Sequence, residues 1–325
     1  MMTFQKTGVT GRLFAAAALA AAAMTAPVAA WAQDEYPDDT VTLMIAWGAG
    51  GATDVVTRAI QPALAENLGA NVIIKNMPGA AGTIGTAEAA KADPDGYTVF
   101  FTPAGPLTVQ PHLRKLPYEL ASFAPVGRIS LAPMLMMAAP DSRFSTAEEV
   151  IEAAQAGTNA VTFGTVGAGS LPHLAVLALE SAAGIKVKQI PFKGSSDGMK
   201  GLLGGTVEVF NDQAQLAPQY DLKPLAALSA ERLSEFPDVP TLKEQGYDVE
   251  MSNWLGVFVP VGTPDAVVTR LNTALNAALA DEKVQAQLEN LQIVPAPTTP
   301  EELGAFAQAN SDLSRKLLQQ AGLVK

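Results

Sequence analysis

Residues 41–60 read VTLMIAWGAGGATDVVTRAI, and this stretch decides the fold. Its first part, Val41–Trp47, is a mostly apolar run of strand length. Apolar residues recur at helical spacing after the glycine-rich loop and predict one buried helix stripe. They are Val55, Val56, Ala59, Ile60, Ala63 and Leu64. A strand, a tight loop and a helix in this order form the repeating unit of α/β proteins.

The same alternation continues along the chain. Short apolar runs separated by glycine and proline predict nine strands. They are Val41–Trp47, Asn71–Ile74, Tyr97–Thr102, Met134–Ala138, Val161–Gly164, Lys186–Pro191, Val207–Asn211, Pro224–Ser229 and Trp254–Val259. Several runs are too uniformly apolar to have a solvated face, so we expect mainly parallel sheets with helices on both faces.

Helix starts are readable as well. Capping boxes run from Thr146 to Glu149 and from Thr299 to Glu302, and Thr263 before Pro264 predicts a third capped start. The C-terminal third is therefore predicted to be mostly helical. One apolar stripe there should dock on a sheet, formed by Val267, Val268, Leu271, Leu275 and Ala278.

The loop Gly48–Asp54 presents bare backbone amides at the start of a helix, a combination that favours an anion. A dinucleotide site would need a third glycine where Thr53 stands and an acid after the next strand, which instead ends in Lys75-Asn76. No Gly-Lys-Ser/Thr follows for a nucleotide triphosphate. A tight turn in which Thr53 or Asp54 merely caps the helix stays an open alternative.

A second loop of this kind is Gly164-Thr-Val-Gly-Ala-Gly-Ser170, again between a strand and a helix. Two amide-rich loops in separate parts of the chain suggest a ligand held between two lobes. Ser170 and His173 invite a serine-hydrolase interpretation, but Ala168 breaks the Gly-x-Ser-x-Gly pattern and no acid partner is evident. Packing or a pocket-side hydrogen bond is the simpler role for His173.

Three further turns are punctuated by glycine and proline. Asn76–Gly85 is glycine-rich and leads into a helix, and Asp93–Tyr97 has ordinary turn chemistry. Thr102–Gly105 ends a strand, where it could contact ligand or act as a hinge.

Composition narrows the chemistry. The chain has 325 residues, a formal net charge of −11, two histidines and no cysteine. Nucleic acid is an unfavourable partner for such an acidic chain, and disulfides, thiolate metal sites and cysteine nucleophiles are excluded. We expect neither a metal nor a cofactor.

Residues 1–32 have the parts of a secretory signal: Lys6 and Arg12 without any acid, an alanine-rich apolar stretch, and small residues before a cut after Ala32. Pro27 interrupts the run, which argues against a membrane span. Export without disulfides suits a bacterial periplasm.

Read in order, the motifs resemble the Bug (TctC) family of periplasmic solute-binding proteins of tripartite tricarboxylate transporters. The resemblance covers the two glycine loops, Asn76–Gly85 and Asp93–Tyr97, and continues through further collinear motifs. Those are Pro111–Leu113, Pro191–Gly194, Leu203–Gly205, Phe236–Thr241 and Trp254 to Pro264.

The resemblance implies a two-lobed Venus flytrap with an α/β fold in each lobe. Residues 33–103 and 226–325 would form lobe 1 and residues 104–225 lobe 2, with crossings near Pro103 and Leu225. A small organic carboxylate would be closed into the cleft and passed to membrane permease subunits by a monomer that performs no chemistry. The family fixes the ligand carboxylate without requiring a buried cation.

The residues expected to contact ligand come mainly from the two glycine loops. They are Gly50, Gly51, Thr53 and Asp54 from one lobe and Thr165, Gly167, Ala168, Gly169 and Ser170 from the other. Further candidates are Trp47, Thr102, Ala104, Phe192, Lys193 and Asp212. Lys193 could equally be a solvated charge, and Asp212 either receives a ligand amino or hydroxyl group or ends a strand.

Two departures from the family pattern leave the ligand open. Trp47 begins the first loop, where the family usually has phenylalanine, and Met77 stands in a turn where arginine is common. The indole could stack on an aromatic ligand, narrow the cleft or face the core. A periplasmic sensory partner that binds the same ligand, a hydrolase using Ser170 and a dehydrogenase using the first loop are the rival functions.

Overall fold

The structure, a computed structural model, describes residues 1–3, 36–291 and 293–324. The chain forms two units, residues 1–38 and 39–325, and every element named below lies in the second. The signal predicted for residues 1–32 falls outside the described residues except at Met1–Thr3. Among the described residues, no helix is both long enough and apolar enough to cross a bilayer.

Nine strands form the described sheet. They are β1 (Val41–Ile45), β2 (Val72–Asn76), β3 (Thr98–Pro103), β4 (Phe123–Ala138), β5 (Thr162–Thr165), β6 (Lys188–Pro191), β7 (Val209–Gln213), β8 (Lys223–Ala227) and β9 (Ser252–Pro260). Their order is β2-β1-β3-β9-β4-β7-β5-β6, and β8 pairs with β4 off this path. β1 is parallel to β2 and β3, and β5 is parallel to β6 and β7, whereas β4 and β9 run antiparallel to their neighbours.

Strand β4 belongs to both halves of this sheet. From Phe123 to Pro133 it pairs with β9, and from Met134 to Ala138 it pairs with β7 and β8. The partner change between Pro133 and Met134 divides the sheet into one half built from β1, β2, β3 and β9 and another built from β5 to β8. This arrangement agrees with the two-lobed fold class predicted from the sequence.

Helices cover the sheet. They are α1 (Ala52–Leu68), α2 (Thr83–Ala90), α3 (Ala104–Thr108), α4 (Gln110–Leu113), α5 (Ala147–Gln155), α6 (Leu171–Ala183), α7 (Ser195–Leu203), α8 (Leu216–Gln219), α9 (Asp265–Ala280), α10 (Glu282–Asn290) and α11 (Pro300–Gln320). The capping boxes at Thr146 and Thr299 form as predicted. Thr263 does not cap α9, because its hydroxyl donates to the Pro260 carbonyl instead.

The buried stripes follow the predicted spacing in most positions, but Ala59 of α1 and Val267 of α9 are only half-buried. Val56, Ile60 and Leu64 of α1 are buried, but Val55 is exposed. On α9, Val268, Leu271 and the apolar residues that follow at helical spacing are buried as predicted.

The core of the first half is aromatic. The Phe100 and Phe123 rings stack at 5.5 Å between centroids, and Phe258 meets Phe123 edge-on at 6.4 Å. Trp254 is buried beside Phe258. These contacts join β3, β4 and β9, so the long strand is anchored where it enters the first half.

Candidate functional site

The directions of the strands bring the carboxyl ends of β1 to β3 and those of β5 to β7 to the same region of the sheet. β1 and β3 are parallel, and β3 and the first part of β4 both run antiparallel to β9, so all three point the same way. β4 continues beyond Pro133, whereas β7 runs against it and ends with Gln213 opposite Met134. The carboxyl ends of β1 to β3 and of β5 to β7 therefore face the partner change in β4 from opposite sides. Ligands of open α/β sheets bind outside the carboxyl ends of the strands.

The first glycine loop follows β1 and is organised by Asp54. One Asp54 carboxylate oxygen accepts from the Gly50 amide at 2.8 Å and from Arg58 at 2.8 Å, and the other accepts from Asn76 at 3.0 Å. The same Asn76 amide also reaches the Trp47 carbonyl at 3.0 Å. The hydrogen bond from Arg58 is the largest of the interactions that lower the pKa of Asp54 to about 2. Asp54 is only 1% exposed, so its side chain shapes the loop.

Some backbone amides of this loop donate a hydrogen bond within the chain. Others, which we call open, have no acceptor among the described residues. The Gly50 amide serves Asp54 and the Gly51 amide donates to the Gly48 carbonyl at 3.2 Å. Gly51 is the N-cap of α1, and no side chain caps the helix there. Within the described structure, the amides of Ala52, Thr53 and Asp54 have no acceptor. The amides in the first turn of α1 are therefore available to donate hydrogen bonds to an anion.

The second loop follows β5 and is closed by Ser170 and His173. The Ser170 hydroxyl donates to the Gly167 carbonyl at 2.8 Å and accepts from the His173 amide at 3.3 Å, which makes it the N-cap of α6. The Gly169 amide donates to His173 Nδ1 at 2.9 Å. The imidazole thus holds the loop and makes no hydrogen bond to the Ser170 hydroxyl, so the two side chains do not form a nucleophile–base pair. Burial lowers the pKa of His173, in keeping with a neutral ring that accepts at Nδ1.

Open amides remain in the second loop as well. The Gly169 and Ser170 amides are used within it, but those of Gly167, Ala168 and Leu171 have no acceptor in the part of the chain that is described. Gly167 has φ of +84° and no atom within 4 Å of the position a Cβ would take. Thr165 is buried where β5 ends.

A cavity of about 140 Å³ lies beside this loop, at the partner change in β4. It is lined by Met134, Val166, Ser170, Leu171, Pro172, Ser195, Asp212, Gln213 and Asn253. Asp212 is 3% exposed and accepts from the Ser195 hydroxyl at 2.6 Å and from the Gln213 amide at 2.8 Å. Its burial raises its pKa, against the effect of these two hydrogen bonds.

The other predicted contacts are dispersed. Thr102 and Ala104 are buried where β3 meets α3, and the Thr102 hydroxyl donates to the Pro103 carbonyl. Lys193 is exposed. The Phe192 ring is half-buried and packs against Phe210 at 6.2 Å between centroids, at the edge of the core of the second half.

Trp47 is half-buried against the turn that carries Gly82, and its indole N–H is buried without a hydrogen-bond partner among the described residues. Of the three roles predicted for Trp47, a position facing the core explains the burial of its ring. It does not explain why the indole N–H is buried without an acceptor among the residues described.

Several residues of this region were not predicted from the sequence. Ser195, Gln213 and Asn253 line the cavity, and Asn76 and Arg58 fix Asp54. The signal for Ser195 was its place at the start of a helix after Gly194. No sequence motif around Asn253 indicated a binding role, because only the pairing of β9 with β4 brings this residue to the cavity.

The chain is similar to known proteins over most of its length. Residues 56–323 match the family described as tripartite tricarboxylate transporter family receptor, TctC. The UPF0065 protein of the TAR-I ttuE-ttuC' intergenic region of Agrobacterium vitis is 33% identical over 313 residues, which cover 92% of this chain and 90% of that protein.

Solved structures show the same architecture. A TctC solute-binding protein from Polaromonas without ligand has a TM-score of 0.82 at 31% identity, covering 88% of this chain and 99% of that one. MatC of Rhodopseudomonas palustris with bound malate has a TM-score of 0.67 at 29% identity, covering 87% of this chain and 100% of that one. A second R. palustris protein, with adipate, has a TM-score of 0.70 at 28% identity, covering 89% and 99%.

Proposed function

The chain belongs to the family of tripartite tricarboxylate transporter receptors (TctC), and we propose that it captures a small organic carboxylate between its two lobes. The observation that carries the proposal is the opposition of two loops with open amides, at the ends of β1 and β5, across the partner change in β4. Oriented amides at helix N-termini favour an anion without needing a cationic side chain.

The binding residues follow from the open amides. We assign one carboxylate of the ligand to the amides of Ala52, Thr53 and Asp54 and to those of Gly167, Ala168 and Leu171. Gly50, Gly51, Gly169 and Ser170, which were predicted as contacts, shape these loops through their own hydrogen bonds. The relatives with bound malate and adipate support a carboxylate as the ligand class.

Closure is the second part of the proposal. A ligand held by the open amides of both loops would fit an arrangement in which the two loops come together, so binding would favour a closed arrangement over an open one.

The hinge is assigned from strand pairing. We place one crossing at Pro133 and Met134 and the other between Ala227, the end of β8, and Ser252, the start of β9. The sequence predicts crossings near Pro103 and near Leu225. We propose a later position for the first, because β4 pairs with β9 of the first half as far as Pro133, whereas Leu225 lies in β8, close to its end at Ala227.

In the cell, the protein would act as a receptor without catalysis. It would bind its ligand in the periplasm as a monomer and deliver it to the membrane permease subunits of a tripartite transporter. The family described as a transporter receptor supports this role.

A ligand screen tests the function. Thermal unfolding of the chain is followed with mono-, di- and tricarboxylates, amino acids and aromatic acids. A ligand that binds only the folded state stabilises it by about 2.7 kcal/mol at 100-fold excess over Kd. Stabilisation by at least one carboxylate is expected, and no response to any of these acids would overturn the proposal.

The variant Ala52→Pro tests the site. Ala52 is the first residue of α1, where proline is tolerated, and Gly51 before it is extended, as a residue preceding proline prefers. The change removes one open amide, so affinity for the identified acid should fall about 10-fold while the free protein melts nearly unchanged. Glu282→Pro, at the first position of the remote helix α10, is the matched control. Unchanged affinity in Ala52→Pro would show that the site is misplaced.

A further inference from the structure

The cavity at the partner change contains a buried acid where the proposed ligand is itself an anion. Asp212 accepts hydrogen bonds from Ser195 and Gln213 but, among the described residues, has no lysine, arginine or histidine nitrogen within ion-pair distance. Each carboxylate oxygen can accept at least one more hydrogen bond. A ligand carboxylate placed directly against this group would be repelled.

The wall opposite Asp212 is formed by a helix N-terminus, which favours negative charge. Ser170, Leu171 and Pro172 form the first turn of α6, a helix of 13 residues, and the Leu171 amide is open. The helix N-terminus favours negative charge, whereas Asp212 and Ser195 on the facing wall favour a hydrogen-bond donor. Both walls belong to one cavity of about 140 Å³.

Asn211 adds an independent observation. It is fully buried, and neither its side-chain oxygen nor its side-chain nitrogen has a hydrogen-bond partner among the described residues. The register puts Asn211 opposite Met136 and Gln213 opposite Met134, so Asn211 lies one step below Gln213 on the same face of β7. Buried amides without partners are rare, because each costs the free energy of desolvation. Asn211 does not line the cavity, but its unpartnered amide lies two residues from Gln213, which does, so unused hydrogen-bonding capacity is present beside the cavity as well as on its wall.

We propose that Asp212 makes this site select carboxylates that carry a hydroxyl or ammonium group next to the carboxylate, over unsubstituted acids of the same length. The proposal rests on the proposed function, since it assigns the ligand carboxylate to the amides of the second loop. The carboxylate would lie against the first turn of α6 and the adjacent donor would reach Asp212.

The volume is consistent with this assignment. Sites for drug-sized ligands begin at about 300 Å³, so 140 Å³ holds a small acid or one end of a longer one. Discrimination at a buried hydrogen-bonding group is strong, because an acid without the donor leaves that group desolvated and unpaired.

The test compares acids that differ only at the neighbouring carbon. Dissociation constants are measured by calorimetry for succinate, malate and aspartate, and for the matched sets of three-carbon and five-carbon acids. In the wild-type chain, the hydroxy or amino acid of the best-binding set should bind at least about 10-fold more tightly than its unsubstituted partner. Equal affinity within that set would overturn the inference and leave the proposed function intact.

Asp212→Asn then identifies the donor. The amide keeps the shape and one acceptor oxygen but not the charge. If the donor is an ammonium group, the variant should lose the preference for the amino acid, whereas a hydroxy acid should lose only part of its advantage. Asp197→Asn, the same change at an exposed acid of α7, should alter neither.

The remaining outcomes are also decisive. An equal loss of affinity for substituted and unsubstituted acids in Asp212→Asn would overturn the role of Asp212 in selection. Binding of no carboxylate at all would overturn both the inference and the proposed function. Should the variant fail to fold, the wild-type comparison within each set decides the question.

Discussion

At the scale of single residues, Asp54 shows how a side chain within a binding loop serves the loop itself. Its carboxylate accepts hydrogen bonds from the Gly50 amide, Arg58 and Asn76. The backbone amides at the start of α1 are left open. The sequence predicted two roles for this position, ligand contact or helix cap. The structure shows a third, because the partners Asn76 and Gly50 come together only in the folded chain.

We expect Asp54→Asn to destabilise the protein by about 2 kcal/mol at pH 7, since it removes hydrogen bonds to a charged, buried acceptor. Urea unfolding of both proteins between pH 2 and pH 7 measures the difference. The folded-state pKa of about 2 lies below the ordinary value of 3.8. The contribution of Asp54 is therefore complete above about pH 4 and is lost as the pH falls towards 2.

The pH dependence provides the check on this prediction. The gap in stability between wild type and Asp54→Asn should be constant from pH 5 to pH 7 and should narrow between about pH 4 and pH 2. A gap that stays constant down to pH 2 would show that the Asp54 pKa is not lowered by folding.

At the scale of elements, the Asn76–Gly85 turn and α2 lie unusually close to β1. A Cβ on Gly85 would come within 2.6 Å of the Met77 carbonyl oxygen and 2.7 Å of the Ala46 Cα. Both are backbone atoms, which cannot move without shifting the strand that leads into the first loop. Glycine is required here by close approach rather than by its φ angle.

Gly85→Ala should therefore destabilise the protein by about 1–3 kcal/mol, the usual cost of overpacking. Gly105→Ala is a suitable control, since Gly105 also lies in a short helix but no atom is within 4 Å of its Cβ position. Chemical denaturation of both variants measures the change. Equal stability of the two would contradict the packing argument.

Elements were predictable from the sequence where their pattern is local. All nine predicted strand segments overlap observed strands. The first part of β4 was missed, because Pro125, Gly127 and Pro133 interrupt the apolar pattern there. The structure accommodates this segment with register shifts between Pro125 and Gly127 and between Arg128 and Ser130.

At the scale of the whole molecule, recognition has to be local. A chain of net charge −11 repels an anionic ligand at long range, so the open amides must supply the attraction at short range. Composition and motif order were enough to predict the architecture and the ligand class. They could not predict the cavity, because Met134, Asp212 and Asn253 meet only through the pairing of β4 with β7 and β9.

Closure can be measured directly, since the chain has no cysteine that would interfere with labelling. Glu66→Cys in α1 and Glu152→Cys in α5 place dyes on exposed positions of the two halves. Saturation with the acid identified by the screen should change the transfer efficiency between the dyes. A pair within one half, Glu66→Cys with Glu282→Cys, should show no change, and a constant signal from both pairs would contradict closure.

The partner change in β4 also sets an order for assembly during synthesis. β4 has 16 residues, and its partners β7, β8 and β9 all follow it along the chain. A nascent chain that has emerged as far as residue 200 therefore holds a long strand with both edges unpaired. β9 also supplies the outer partner of β3, so the half that begins the chain is completed by the last strand. The growing chain is consequently exposed to edge-to-edge aggregation until residue 260 has appeared.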